Sequence, residues 1–519
     1  METVYKVHPA VGVMRVGNST DGYFLQGERL EDGPFDLDQN GRDVAFRGYK
    51  EGSQRIRRQG ARFRVFEYRR DNGRDELVRE ITPQVARIAW RVDLSASKAA
   101  GPLMRDGVSG GHRVITPHPN QLRNQPPAGH SRAELAARLR LEASGVNHRP
   151  APPPLPTILG RPIAIGEAHT DAGGRLIVLG GAGAADSWGA PPPPIGDYLN
   201  NPTWYDDIAD GPVDATLFFL DGAGAEGAGV PVHESGWVAA APPDFAPDLL
   251  PIVSLEDIAF DALRRDGRIA LPNPIAYLDD IEPILRRASL LRWTHDAAAW
   301  RDITGMLGGQ VDLSDPDGPE QDRRGVVQVL RGGVGTLDDL GLTATQNLML
   351  DRYVAGQFVR GPDATRTEDE GRTLDRAVLA RLIGGGFFPG IEIGFTATLP
   401  SLWSGLGRLT RGDFTDHGGQ VRRLEPGMLT QRMACPWQAD FCECRETWWP
   451  AQRPDKVRFT ENGQAADLNW ERGVVTEAGG GMTHDEHKAM IDHFTQLGVI
   501  ERRVAGGQEI FAEIGRDNF

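Results

Sequence analysis

ARFRVFEYRR, residues 61–70, sets charged residues between apolar ones with a period near two, the signature of a half-buried β-strand. QVARIAWRVDLSAS (84–97) repeats the pattern downstream. Upstream, VYKVHPAVGVMRVGN (4–18) holds short apolar runs broken by Pro9, Gly12 and Gly17, which reads as strand, turn, strand. RPIAIGEAHTDAGGRLIVLGG (161–181) reads as two strands joined by an Asp171–Gly174 turn. VDATLFFL (213–220) and SGWVAAAPP (235–243) are further strands. The first 245 residues are therefore expected to be mostly β, with Pro/Gly-rich loops. Residues 101–157, rich in Pro, Arg and Asn, and APPPPIGDY (190–198) are expected to be surface loops rather than ligands for a partner.

Beyond residue 250 the period changes. LEDIAFDALRRD (255–266), IAYLDDIEPILRRASLLRWTH (275–295), ATQNLMLDRYVAGQF (344–358) and DRAVLARLIG (375–384) carry apolar residues at helical spacing. HDEHKAMIDHFTQLGVIERR (484–503) follows Thr483, a fair N-cap with Glu486 three residues on. The fold class is α+β. A β-rich domain is expected over 1–250, and a helical, mixed domain over 251–519.

A chain of 519 residues buries a large core without disulfides, and three cysteines rule out a disulfide scaffold. The net charge of −15 argues against a nucleic-acid partner. Only five of the 57 basic residues are Lys (Lys6, Lys50, Lys98, Lys456, Lys488), which reads as a compositional bias without functional weight. Residues 1–19 lack a signal-peptide layout, and no stretch approaches ~20 apolar residues. The expectation is a protein without a membrane span, located in the cytoplasm, with signal-less export left open.

The glycine clusters LGGAGAADS (179–187) and LRGGVGTLDDLG (330–341) lack a phosphate-loop layout and read as turns. His484 and His487 share a helix face, with His493 further on, but no HExxH is present, and a solvated helix start is the favoured reading. There is no GxSxG elbow and no kinase set.

Residues 426–473, PGMLTQRMACPWQADFCECRETWWPAQRPDKVRFTENGQAADLNWERG, gather all three Cys (435, 442, 444) and four Trp (437, 448, 449, 470). The Cys spacings match no usual zinc or iron–sulfur pattern. Two readings remain, a redox group built from a Cys and an oxidised Trp, and a Trp-rich packing corner with buried thiols. Composition alone favours the corner.

HPAVGVMRVGNS (8–19), AWRVDLSASKAA (89–100), GEAHTDAGGRLIVLGGAG (166–183), GWVAAAPPDFAP (236–247), GGGFFPGIEI (384–393) and, most specifically, PWQADFCEC (436–444) with WWPAQRPDKV (448–457) shift that balance. Over most of its length the chain resembles the cysteine tryptophylquinone amino-acid oxidases of the LodA type, which include lysine ε-oxidase and glycine oxidase. The resemblance implies a quinone (CTQ) formed when a Cys sulfur is joined to a dioxidised Trp. It implies an Asp four residues before that Cys, which Asp440 and Cys444 satisfy. Cys442 ranks second and Cys435 lies outside the pattern. Trp470 is the expected quinone Trp, with Trp448 and Trp449 as alternatives.

The implied reaction is oxidative deamination of an amino acid or primary amine through a Schiff base on the quinone. Asp440 is the implied base, O2 is reduced to H2O2, and NH3 is released. A separate flavin-dependent maturation protein and a homo-oligomeric state are implied as well. His417, in the DHGGQ loop, is a weaker candidate for lining the site. Two other classes stay open: a catalytically silent relative serving as a binding or scaffold protein, and a metal-dependent enzyme using the Cys cluster.

Overall fold

Strand Arg58–Asp71 is the hub of the molecule. It pairs antiparallel with Glu2–His8, Val11–Arg15, Arg74–Glu80 and Leu176–Leu179, and parallel with Tyr23–Leu25. A computed structural model describes residues 1–517 except 21, 110–111, 336–340, 364–367, 385–392, 444–451 and 475–483. Among the described residues, fourteen strands form one sheet. Its main path runs from Ala137–Ser144 through Ala86–Ala96, Asp210–Leu220 and Gly236–Ala241 to Val11–Arg15 and the hub. The pair Val11–Arg15 with Gly236–Ala241 is parallel, and the others on this stretch are antiparallel. The longer helices begin at Leu255–Arg265 and follow through the second half. The molecule is α+β, β-rich first and helical later.

The hub departs from the half-buried strand its alternation predicts. Residues 59–66 are buried on both faces, Arg62 and Arg64 included. Helix Glu370–Leu379 lends the charge that makes this tolerable, because Glu370 reaches Arg64 at 2.8 Å. Glu28 and Glu80 also pair with Arg64, while Glu28, Asp43 and Asp171 surround Arg62. A buried guanidinium must be paired to avoid a large desolvation cost.

Three further expectations are corrected. Residues 101–157 are not all loop: Pro102–Ser109 and His112–Leu122 form a hairpin, and Ala137–Ser144 is a strand of the large sheet. The last alternates buried and exposed residues as ARLRLEAS dictates, a signal hidden by the prolines around it. The 330–335 glycines are not a turn but the end of helix Glu320–Gly335. A Cβ on Gly333 would stand 2.6 Å from that of Ala299, so the helix uses a missing side chain to approach its neighbour. The last predicted helix ends at His493, and Val499–Ala505 turns back as a strand with Gln508–Ile514. The β-branched residues Val499 and Ile500, after Gly498, favour that strand.

One cluster of buried apolar residues runs from Val7 to Phe511 and takes in Trp237, Trp437 and Trp470. The two segments expected at 1–250 and 251–519 thus contribute to a shared interior. No helix among the described residues is long and apolar enough to cross a membrane.

Candidate active site

Sequence reasoning passed over three buried carboxylates, two of which, Asp206 and Asp210, hold the 426–473 segment while the third, Asp207, holds the neighbouring 183–184 turn. They belong to WYDDIAD (204–210): Asp206, Asp207 and Asp210, all wholly buried. Asp210 accepts from the backbone N–H of Gly427 (3.1 Å) and Thr430 (2.8 Å), from the Thr430 hydroxyl (2.7 Å) and from the Trp237 indole (3.0 Å). Burial pushes its carboxyl up to about 6 against those donors. Asp206 accepts from Lys98 Nζ at 2.8 Å and from the Trp437 N–H at 2.9 Å. Asp207 accepts from the N–H groups of Gly183 (2.8 Å) and Ala184 (2.9 Å), which is the turn chemistry expected of the 179–187 glycines. Burial, and secondarily the charge of Asp206, push Asp207 up to about 7, opposed by those backbone donors. The signal available in the sequence was three Asp within five residues beside Trp and Tyr.

Helix Trp437–Glu443 grows from this anchor. Pro436 immediately before it suits a helix start. Trp437 packs edge-on against Phe494 (5.1 Å), Gln438 donates to the Gly183 carbonyl (2.9 Å), and Ala439 packs with Ile195 and Trp204. Asp440, the expected base, lies wholly buried on this helix. Cys435 is buried, its thiol donating to the Trp204 carbonyl at 3.3 Å. Burial and the nearby Asp206 charge push that thiol up to about 12, so it stays protonated and inert. The backbone of Cys442 belongs to the helix, but its side chain, and all of Cys444, Trp448 and Trp449, lie outside the described residues.

Trp470 is wholly buried. Its indole N–H donates to the Gly498 carbonyl at 2.8 Å, and Phe245 of the PPDFAP loop packs on its ring at 4.7 Å. The Phe245 N–H donates to the Gln452 carbonyl, which ties the chain just after WWPA to the same place. Residues 494–498 therefore touch both partners, Phe494 against Trp437 and Gly498 against Trp470. The helix that carries Asp440 and the Trp470 indole are thus both tied to one short turn, the helix through Trp437.

Other sequence candidates fall elsewhere. His417 is in an exposed hairpin turn, near Thr398 at 3.5 Å. His487 is buried rather than solvated, because helix His484–His493 packs on helix Trp437–Glu443. Thr483 lies outside the described residues. Among the described residues no group of His, Cys, Asp or Glu is placed to hold a metal.

Residues 8–235 match the family model described as L-Lysine epsilon oxidase N-terminal, and residues 330–470 match the L-lysine epsilon oxidase C-terminal domain. The second match ends at Trp470. The L-lysine 6-oxidase of Marinomonas mediterranea is 26% identical, over 84% of this chain and 70% of that protein. Two crystal structures of the L-Lys epsilon-oxidase from Marinomonas mediterranea share the fold. One, of its Schiff base intermediate with L-Lys, has a TM-score of 0.74 at 22% identity, covering 99% of this chain and 95% of the other. The second has a TM-score of 0.73 at 21% identity with the same coverage. With both family models matched in order along one chain, this protein belongs to the LodA family.

Proposed function

We propose that this chain is an amino-acid or primary-amine oxidase that works through a cysteine tryptophylquinone built from Cys444 and Trp470, with Asp440 as its base. The observation that carries the reading is that the helix bearing the wholly buried Asp440 and the wholly buried Trp470 indole both contact the 494–498 turn, the helix through Trp437 against Phe494 and the indole through its N–H to the Gly498 carbonyl. The residues fit such a group: the indole N–H is fixed by the Gly498 carbonyl and Phe245 covers the ring, so the indole has one orientation.

When formed, the quinone supplies an electrophilic carbonyl and a two-electron acceptor, which no ordinary side chain offers. The chain's own residues do the rest. Asp440, as carboxylate, takes the proton from the carbon that bears the amine. The apolar cover of Trp437, Phe494 and Phe245 keeps water away and strengthens electrostatic contacts inside the site. Overall, amine, O2 and H2O give carbonyl product, NH3 and H2O2. The substrate is an amino acid or a primary amine. Maturation depends on a flavin-dependent partner protein, and the enzyme is a homo-oligomer.

The test is the mass of peptides from 435–472, taken from protein co-expressed with the flavoprotein. A cross-linked peptide with two added oxygens is expected, joining Cys444 to Trp470. Unmodified Cys444 and Trp470 would instead favour a catalytically silent binding protein. Bound zinc or iron at stoichiometric level would favour the metal-dependent class.

A further inference from the structure

Two of the five lysines hold backbone next to the candidate residues, Lys98 just before the helix that carries Asp440 and Lys50 at the turn that receives the Trp470 indole N–H. Lys98 is almost fully buried and donates to Asp206 (2.8 Å) and to the Ala434 carbonyl (2.9 Å). Asp206 passes the contact on to the Trp437 N–H, the first residue of the helix that carries Asp440. The buried Arg123 completes this lead-in by donating to the carbonyls of Lys98 and Met433, both at 2.9 Å. Lys50 Nζ donates to three carbonyls: Thr495 (2.8 Å), Leu497 (3.0 Å) and Gly515 (2.6 Å). Thr495 and Leu497 belong to the turn whose next residue, Gly498, receives the Trp470 indole N–H.

The chemistry of the ammonium group explains the choice. In a chain with 52 Arg and five Lys, Arg is the default cation. A planar guanidinium presents its donors in one fork, whereas an ammonium aims three donors tetrahedrally. Three carbonyls converging on one point, as around Lys50, suit the ammonium. A buried ion pair such as Lys98–Asp206 is a poor source of net stability compared with an apolar pair of similar volume, and its better-attested use is to fix register.

Resting on the oxidase reading above, we propose that Lys98 and Lys50 are positioning residues for building the quinone. Lys98 sets the start of the helix that leads to Cys444, and Lys50 sets the turn on which Trp470 rests. Assembly joins the Cys444 sulfur to an indole carbon and places two oxygens on the ring. In sum, thiol, indole and two O2 give the linked quinone and two H2O, so four hydrogens leave and two oxygens enter. O2 is the oxidant, and the flavin-dependent partner handles it. Bond formation between two separately held side chains is sensitive to placement, with an error of ~1 Å costing about a hundredfold in rate.

The experiment compares Lys98→Met, Lys98→Arg, Lys50→Met and Lys50→Arg with the unaltered chain, each co-expressed with the flavoprotein. The cross-linked fraction is read by peptide mass and by visible absorbance per folded protein. Folded Met variants are expected to lose about tenfold or more of the cross-linked fraction. Lys98→Arg should recover much of it through Asp206, while Lys50→Arg should recover less, because the longer, planar guanidinium does not place its donors where the tetrahedral ammonium places its three. If Lys98→Met does not fold, Lys98→Met/Asp206→Asn leaves no unpaired charge and is measured in its place. Folded Met variants with the full cross-linked fraction would overturn the proposal alone. An unmodified parent chain would overturn the oxidase reading and this proposal with it.

Discussion

Asp207 shows how much a single buried carboxyl can say. Its carboxyl stands at about 7 against an ordinary 3.8, so the folded chain binds a proton there that the unfolded chain has released. A raised carboxyl pKa contributes stability that is present below about pH 4 and is lost as pH rises through about 7. Asp207→Asn keeps an oxygen for the Gly183 and Ala184 donors and removes the ionisation. Thermal unfolding from pH 4 to pH 8 should therefore fall less steeply in the variant than in the parent, and parallel curves would count against the assignment. At the same scale, Asp440→Ala is expected to abolish both quinone absorbance and peroxide release. Full absorbance in that variant would remove Asp440 from maturation and leave it only the role of base.

At the scale of elements, the site depends on how closely the 179–187 loop approaches the 494–498 turn. Gly183 has φ +80°, and a Cβ there would meet the Phe494 ring at 2.7 Å. Gly183→Ala is expected to cost about 1–3 kcal/mol from crowding in the packed interior, read as a lower urea midpoint at unchanged slope. An unshifted midpoint would mean that Phe494 moves aside freely, and that the cover over Trp437 is looser than it looks. The same elements show what period and spacing conveyed. The strands near 4–18, 61–70, 84–97, 161–181, 213–220 and 235–243 were legible because alternation and turn residues are local properties. Strand Ala137–Ser144 alternates equally well but is flanked by prolines, and strand Val499–Ala505 follows a helical stretch closely enough to be read as its continuation.

For the whole molecule, the shared interior leads to another expectation. The sheet strand Gly236–Ala241 and the helices after residue 255 contribute to one apolar cluster. Residues 1–250 expressed alone would expose the apolar surface that those helices cover, and should fail to unfold cooperatively in urea. A sharp transition from that fragment would show a self-sufficient first half. Asp206 and Asp210 join the halves a second time, because their partners at 427, 430 and 437 lie more than two hundred residues away.

The sequence by itself determined the α+β class, the change of period near residue 250, the concentration of Cys and Trp in 426–473, and the resemblance that singles out Asp440, Cys444 and Trp470. All of these rest on local order: alternation, helical spacing, motif. Only the tertiary structure decided that Cys435 is a buried thiol, that Arg62 and Arg64 are interior residues, and that Asp206 and Asp210 hold the segment while Asp207 holds the 183–184 turn. It alone showed two lysines, read from composition as incidental, holding the backbone that leads into the Asp440 helix and the turn that receives the Trp470 indole. The physical reason is that a charge is exposed or buried, free or paired, according to residues distant in sequence, and neither composition nor period records which distant residues meet.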